Sequence, residues 1–237
     1  MKLLRNYLIA LLKTLNFQYT YPLNMVDAIE HRLGLPDQAA NASVYRYLRA
    51  WWGRPDGWSG KVQQGNFEIL EAIEGLACVP LAGSSCLDVG CGTGELFPFL
   101  RDRKVGSYLG IDVLSPSVVS ARQKYPDGVF RQGDFLVEPR DERFDYVLCS
   151  GALTANLPSG NYEYMQRMLT RMWQLYRVGI AFNYLTDDNE RWSPDVFTFS
   201  REKVLDICRR VVPDGAIEVI PAIVDEDRED TVFVWRE

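Results

Sequence analysis

Three features are scarce in this sequence of 237 residues, and each scarcity excludes a class of protein. Histidine occurs once, as His31, and the five cysteines form no C-x-x-C pair, so we predict neither a metal site nor a disulfide framework. No apolar run reaches the roughly 20 residues of a transmembrane helix. Basic residues are outnumbered as well, because 26 Lys and Arg face 32 Asp and Glu. With a net charge of -6 we expect no nucleic-acid partner.

The cysteines and the N-terminus indicate the compartment. Free thiols that form no motif fit a reducing cytoplasm. The apolar run from Tyr7 to Leu12 is similar to a signal sequence, but Lys13 interrupts it and no small-residue cleavage site follows. We therefore expect a cytoplasmic protein, and we do not expect it to bind membranes.

Residues 1–78 are predicted to form a helical extension. Leu and Tyr side chains recur on one helical face from Leu3 to Leu15, which indicates an amphipathic helix. Further helices are expected over residues 23–33, 39–51 and 62–76. An aromatic cluster in this extension either packs in its interior or lines an acceptor pocket. Its members are Tyr45, Tyr47, Trp51 and Trp52.

From Ser85 onward, short β-rich runs alternate with helix-length segments, which is typical of parallel βαβ units. The sequence therefore predicts a single α/β domain over residues 79–237. Its strands are expected at residues 86–89, 107–111, 129–132, 146–149, 179–184, 216–220 and 231–235. The acidic run from Asp225 to Asp230 is most simply a solvated hairpin between the last two strands.

A glycine-rich turn joins the first predicted strand to the following helix. In the run Asp88-Val89-Gly90-Cys91-Gly92-Thr93-Gly94, the missing side chains let a ligand approach the main chain at the carboxyl end of a strand. The G-x-G-x-G spacing after an Asp differs from the G-x-G-x-x-G fingerprint of nicotinamide-binding folds. Taken alone, the run could also be a tight strand-to-helix turn.

Two acidic residues end the next two predicted strands. Asp112 comes eighteen positions after Gly94, where a carboxylate accepts hydrogen bonds from ribose hydroxyls or caps a helix. Asp134 and Phe135 follow the third strand, where they hold an adenine or form an ordinary turn. Because the glycine turn and both carboxylates follow successive strands, a nucleoside site explains them best.

These residues resemble the class I S-adenosylmethionine-dependent methyltransferase superfamily from about residue 67 to the C-terminus. The resemblance implies a Rossmann-like three-layer sandwich, with a mostly parallel seven-stranded sheet of order 3-2-1-4-5-7-6 and an antiparallel last strand. It implies S-adenosylmethionine as cofactor and S-adenosylhomocysteine as product. Asp88 would lie near the amino group of the cofactor, Asp112 and Val113 near the ribose, and Asp134 and Phe135 near the adenine.

The resemblance extends to the residues around the methyl group. The run from Phe144 to Gly151 is similar to the fourth strand of the family, so Ser150 and Gly151 would lie beside the transferred methyl. A bacterial subgroup is similar in a second way, since it carries a Trp and a Gln ahead of a Phe-containing helix, as Trp58 and Gln63 do here.

Two positions depart from that subgroup. Asn66 stands where the subgroup has an Arg. The subgroup also tends to carry an Asn shortly after the Ser-Gly pair, whereas this chain has Thr154 there and Asn156 two positions later. The chain also lacks the Asn-Pro-Pro-Tyr type of motif found in enzymes that methylate nucleic-acid bases. Asn183 and Tyr184, at the end of the fifth predicted strand, are either acceptor-site residues or loop caps. No catalytic residue is assigned.

The leading interpretation is a methyltransferase for a small-molecule acceptor. One alternative is a membrane-associated lipid or quinone methyltransferase that uses the amphipathic helix from Leu3 to Leu15 as an anchor. Another is a catalytically silent protein that keeps the cofactor fold, and a third is an oxidoreductase. The sequence leaves open whether the active form is a homodimer.

Overall fold

The computed structural model describes residues 60–137, 142–157, 160–188, 196–224 and 227–236. The helices in these ranges are α1 (Gly60–Leu70), α2 (Ala72–Ala77), α3 (Leu96–Asp102), α4 (Ser115–Lys124), α5 (Asn161–Leu175) and α6 (Arg201–Val211). The strands are β1 (Ser85–Val89), β2 (Ser107–Asp112), β3 (Phe130–Gln132), β4 (Phe144–Cys149), β5 (Tyr176–Leu185), β6 (Ala216–Val224) and β7 (Asp227–Trp235).

All seven strands belong to one sheet of order β3-β2-β1-β4-β5-β7-β6, which confirms the expected topology. Strands β1 to β5 pair in parallel, whereas β7 is antiparallel to both β5 and β6. The carboxyl ends of the five parallel strands therefore meet along one side of the sheet. We call this side the carboxyl edge.

Two apolar cores lie on opposite faces of the sheet and make the fold a three-layer sandwich. Helices α1 to α4 cover one face, and α5 and α6 cover the other. Helix α5 buries Met165, Met168 and Met172, whose spacing places them on one helical face. Strand β4 is apolar on both faces from Tyr146 to Leu148, as expected for a central parallel strand.

The predicted helix over residues 62–76 is two helices, because α1 ends at Leu70 and α2 starts at Ala72. Between them, Glu71 accepts two hydrogen bonds from the guanidinium of Arg103, which directly follows α3, at 2.6 and 2.5 Å. Helix α2 packs on β5, where a Cβ on Gly179 would lie 3.0 Å from Cδ1 of Ile73. The expected helices before residue 60 lie outside the described residues, and the boundary at residues 78 and 79 stays a prediction.

The prediction of a solvated acidic hairpin is wrong for its second half. Strand β7 begins at Asp227 rather than at Thr231, and Glu229 and Asp230 are 5% and 0% exposed. Each has strand partners on both sides, since Asp230 pairs with Tyr184 of β5 and with Pro221 of β6. Within the described ranges, every helix is too short or too polar to cross a membrane.

Candidate functional site

The glycine loop follows β1 at the carboxyl edge, and its glycines have different physical roles. Gly90, Gly92 and Gly94 all have positive φ, at +75°, +55° and +87°. A Cβ on Gly90 would lie only 2.4 Å from Cβ of Ala152, so the loop packs directly against the turn after β4. A Cβ on Gly92 would meet no atom within 4 Å. Main chain without a side chain therefore faces open space at Gly92.

Asp112 joins the glycine loop to the end of β2. Its Oδ2 accepts from the Gly92 N–H and its Oδ1 from the Leu114 N–H, both at 2.8 Å. The N–H groups of Gly90 and Cys91 donate to the Ile111 carbonyl oxygen, which fixes the same two segments at a second point. The half-buried Asp112 carboxylate thus lies between two ordered segments of main chain.

The loop after β3 adds the second predicted carboxylate. The Gly133 N–H donates to the Asp112 carbonyl oxygen at 3.0 Å, so the ends of β2 and β3 are in direct contact. Oδ1 of Asp134 accepts from the Leu136 N–H at 2.8 Å and closes a short turn. Asp134 is half-buried, whereas Phe135 is buried in the core that α5 and α6 cover.

Tyr164 of α5 lies within electrostatic reach of Asp112 and Asp134 and was missed by the sequence analysis. Burial raises the pKa of its phenol, and the charges of Cys149, Asp134 and Asp112 raise it further. The phenol therefore lies close enough to feel both carboxylates. Tyr164 is half-buried and lies one helical turn before Met168 on α5, and this spacing from the buried face is the signal that could have identified it.

Asp88 lies beneath the glycine loop and is 2% exposed. Burial raises the pKa of its carboxyl group to about 7, the hydrogen bond from Tyr108 lowers it, and the Asp112 charge raises it. The Tyr108 hydroxyl donates to Oδ2 of Asp88 at 2.7 Å. Tyr108 was also missed, because its contact with Asp88 depends on the register between β1 and β2, in which Asp88 is opposite Gly110.

The turn after β4 places Ser150 and Gly151 at the same edge. Both are half-buried, and Gly151 has a φ of +72°. Its N–H donates to Oδ1 of Asn183 at 2.7 Å, and its carbonyl oxygen accepts from Oγ1 of Thr154 at 3.1 Å. Thr154 therefore helps to hold the turn after β4.

Asn183 and Tyr184 face opposite sides of the sheet, so the two acceptor-site candidates have separate surroundings. Asn183 lies toward Gly151 and Glu229. The Tyr184 hydroxyl donates to Oδ2 of Asp230 at 2.8 Å, and Arg201 donates to both oxygens of that carboxylate at 2.6 Å. Tyr184 therefore donates to the buried carboxylate of an ion pair whose Arg201 side is half exposed, and burial is the main cause that raises the pKa of its phenol.

The N-terminal candidates are only partly covered by the described residues. Trp58, His31 and the aromatic cluster lie outside them, and Gln63 lies on the described backbone of α1. Asn66 is 6% exposed, and its Oδ1 has no hydrogen-bond partner among the described residues. A buried oxygen without a donor is costly, by about 1–3 kcal/mol.

Residues 86–178 match the family described as "Methyltransferase domain". A curated relative, the putative methyltransferase 235L of Invertebrate iridescent virus 6, is 29% identical over 85 residues. That match covers 35% of this chain and 32% of the relative, so the chain spans about a third of the length of the curated relative that it matches.

Solved structures share the fold over most of this chain. Magnesium protoporphyrin IX methyltransferase from Synechocystis PCC 6803 with bound S-adenosylmethionine is 17% identical, with a TM-score of 0.64 over 86% of this chain and 98% of its own. N-methyltransferase NodS from Bradyrhizobium japonicum WM9, in complex with S-adenosylhomocysteine, is 18% identical, with a TM-score of 0.62 over 82% and 99%.

A third structure is 1,6-didemethyltoxoflavin-N1-methyltransferase from Burkholderia thailandensis with bound 1,6-didemethyltoxoflavin and S-adenosylhomocysteine. It is 15% identical, with a TM-score of 0.63 over 85% of this chain and 91% of its own. At these identities the likeness is one of fold.

Proposed function

We propose that this chain, which belongs to the class I S-adenosylmethionine-dependent methyltransferases, binds S-adenosylmethionine at the carboxyl edge and methylates a small-molecule acceptor. One observation carries the proposal. The glycine loop, the Asp112 carboxylate and the Asp134 turn meet at this edge, held together by hydrogen bonds from the Gly92 and Gly133 N–H groups. Ligands of open α/β sheets bind at this edge.

The described residues fit the cofactor in three respects. The open space at Gly92 admits a ligand against the main chain. Asp112 offers a fixed carboxylate to the ribose hydroxyls, with Val113 beside it. A cationic amino group near Asp88 would offset the cost of ionising this buried carboxyl.

We assign the remaining contacts by resemblance to the family. Asp134 would accept from the adenine amino group, with Phe135 as apolar surface nearby. Gly90, Gly94, Ser150 and Gly151 would surround the methionine part of the cofactor. Trp58 and Gln63 would approach the same part from the N-terminal side.

When bound, S-adenosylmethionine supplies a methyl carbon already activated by the sulfonium, so in-line displacement depends mainly on alignment of the acceptor. The contribution of the chain is to orient the two reactants. The turn at Ser150 and Gly151 would flank the methyl group, and Asn183 holds this turn. We assign no general base.

A small-molecule acceptor is favoured over nucleic acid by the net charge of -6. Proteins of the same fold act on compounds of this size, as the names magnesium protoporphyrin IX methyltransferase and 1,6-didemethyltoxoflavin-N1-methyltransferase state. We place the reaction in the cytoplasm, because all five thiols are free.

Two measurements on the purified protein test the proposal. Titration calorimetry should show binding of S-adenosylhomocysteine and none of NAD or NADP; the reverse preference would indicate an oxidoreductase. With methyl-labelled S-adenosylmethionine, enzyme-dependent label should then appear in a small molecule that chromatography separates from the cofactor, rather than in the RNA, lipid or protein fractions of a cell extract. Binding without transfer to any fraction would indicate a catalytically silent protein.

A further inference from the structure

A buried chain of hydrogen bonds connects the turn after β4 with strand β7. The Gly151 N–H donates to Oδ1 of Asn183 at 2.7 Å, and Nδ2 of Asn183 donates to Oε2 of Glu229 at 2.9 Å. Asn183 is 2% exposed and Glu229 is buried beside it. Because water has little access to Asn183 and Glu229, the bond between them holds its geometry more firmly than a surface bond would.

The chemistry of the three groups fixes the direction of both bonds. A main-chain N–H can only donate, so Asn183 must present its oxygen to Gly151. The amide nitrogen of Asn183 then needs an acceptor, and an ionised carboxylate only accepts. Glu229 therefore selects the single orientation of the Asn183 amide that holds Gly151.

Gly151 lies so close to the glycine loop that a small displacement of Gly151 would also move that loop. The next residue, Ala152, fills the space in which a Cβ on Gly90 would lie. The turn after β4 is thus enclosed between the glycine loop on one side and Asn183 on the other. A shift of Gly151 would change the wall of the site next to Gly90.

We infer that Glu229 is a positioning residue for methyl transfer, which through Asn183 sets the position of the Gly151 turn. The inference rests on the proposed function, because only a bound cofactor gives this turn a methyl group to flank. The Asn183 amide donates to Oε2 of Glu229 in a buried setting, where a hydrogen bond is electrostatically stronger than in water. Glu229 acts on the cofactor through Asn183 and Gly151, without touching it.

Asp230 supplies a matched control on the neighbouring position. It is also buried in β7, but it faces the other side of the sheet, where its carboxylate binds Tyr184 and Arg201. Loss of its charge should destabilise the same part of the fold. Within the described part of the chain, its carboxylate binds Tyr184 and Arg201 rather than Asn183 or Gly151, so it separates general stability from positioning.

The experiment compares Glu229→Leu, Glu229→Gln and Asp230→Asn in the full chain. Protein is prepared with 13C-carbonyl serine and 15N glycine. NMR spectra that require a 13C–15N peptide bond then show only the glycine amides of the three Ser-Gly pairs in the sequence. Changing Ser59 and Ser159 to alanine identifies the Gly151 amide. Hydrogen exchange of this amide and calorimetry with S-adenosylhomocysteine are then measured for each variant.

For Glu229→Leu we expect exchange at Gly151 to be at least about tenfold faster and S-adenosylhomocysteine affinity about tenfold lower. Glu229→Gln retains an acceptor oxygen and should keep both values within about threefold. Asp230→Asn should lower the melting temperature but leave Gly151 exchange unchanged.

Equal effects of Glu229→Leu and Asp230→Asn on Gly151 exchange and on affinity, or unchanged exchange in Glu229→Leu, would overturn the inference. Wild-type protein that binds no S-adenosylhomocysteine would refute the proposed function, while Gly151 exchange would still decide whether Glu229 holds the turn.

Discussion

The main-chain N–H of Gly92 donates to Oδ2 of Asp112 at 2.8 Å, so the glycine loop and the end of β2 share one carboxylate. The other oxygen of that carboxylate binds the Leu114 N–H at the start of α4. A single side chain thus orders two walls of the site before any ligand binds. Preorganisation of this kind reduces the cost of binding.

Asp112→Ala should lower the affinity for S-adenosylhomocysteine by more than about tenfold, because a charge-assisted bond to the ligand and the bond to Gly92 are lost together. Asp127→Ala is the control, since that exposed aspartate pairs with Arg101 outside the site. Titration calorimetry on both variants checks the prediction. Equal affinities for Asp112→Ala and the wild type would remove Asp112 from the cofactor site.

Gly92→Ala should block cofactor binding in a protein that still folds. A methyl group here occupies the open space at the main chain, and the positive φ costs about 1–2 kcal/mol of stability. Gly83→Ala is matched in strain, because Gly83 has a φ of +80° and equal space but precedes β1 at the opposite edge. Melting temperatures should fall alike, and only Gly92→Ala should lose affinity for S-adenosylhomocysteine. Intact binding by Gly92→Ala would contradict the loop assignment.

The sequence predicted every strand of the sheet, but most strands extend further than local composition indicates. The central strands are predictable because burial on both faces gives continuous apolar runs such as Tyr146 to Leu148. The start of β7 was not predictable in this way. Glu229 and Asp230 are tolerated in a buried strand because groups distant in sequence, among them Asn183 and Arg201, donate hydrogen bonds to their carboxylates.

In the site, too, the residues that belong to local motifs could be predicted, whereas their partners from distant parts of the sequence could not. The glycine loop and Asp112 follow strand ends and are visible as motifs in the sequence. The contact of Tyr108 with Asp88 and the approach of Tyr164 to the site depend on strand register and helix packing. A single sequence carries no such information, so the partners that tune the predicted residues appear only in the structure.

The five thiols should differ sharply in reactivity. Cys78 is exposed, whereas burial raises the pKa of Cys86, Cys149 and Cys208 to about 12 and raises that of Cys91 further. Thiolates are the reactive form, so a disulfide reagent at pH 8 should modify one thiol quickly and four only after unfolding. Cys78→Ser should abolish the fast phase. Rapid modification of a second thiol would show that one of the buried cysteines is accessible.

Asp88 should make both stability and cofactor binding depend on pH. As the pH rises, the stability of the fold should fall and cofactor binding should strengthen. Its pKa is raised from 3.8 to about 7 by burial, so the folded chain retains a proton that the unfolded chain has lost between these values. The contribution of Asp88 to stability therefore falls as the pH rises from about 4 to about 7. A cationic ligand favours the ionised carboxylate instead, so binding strengthens over the upper part of that range.

The affinity for S-adenosylhomocysteine should accordingly be about tenfold lower at pH 6 than at pH 8, because most Asp88 carboxyls must lose a proton before they pair with the amino group. Calorimetry in buffers of different ionisation enthalpy should detect proton release at pH 6 and little at pH 8. Asp88→Asn should bind weakly and with no pH dependence, and it should gain relative stability above pH 7 because no charge is buried. An affinity that is constant from pH 6 to pH 8 in the wild type would separate Asp88 from the amino group of the cofactor.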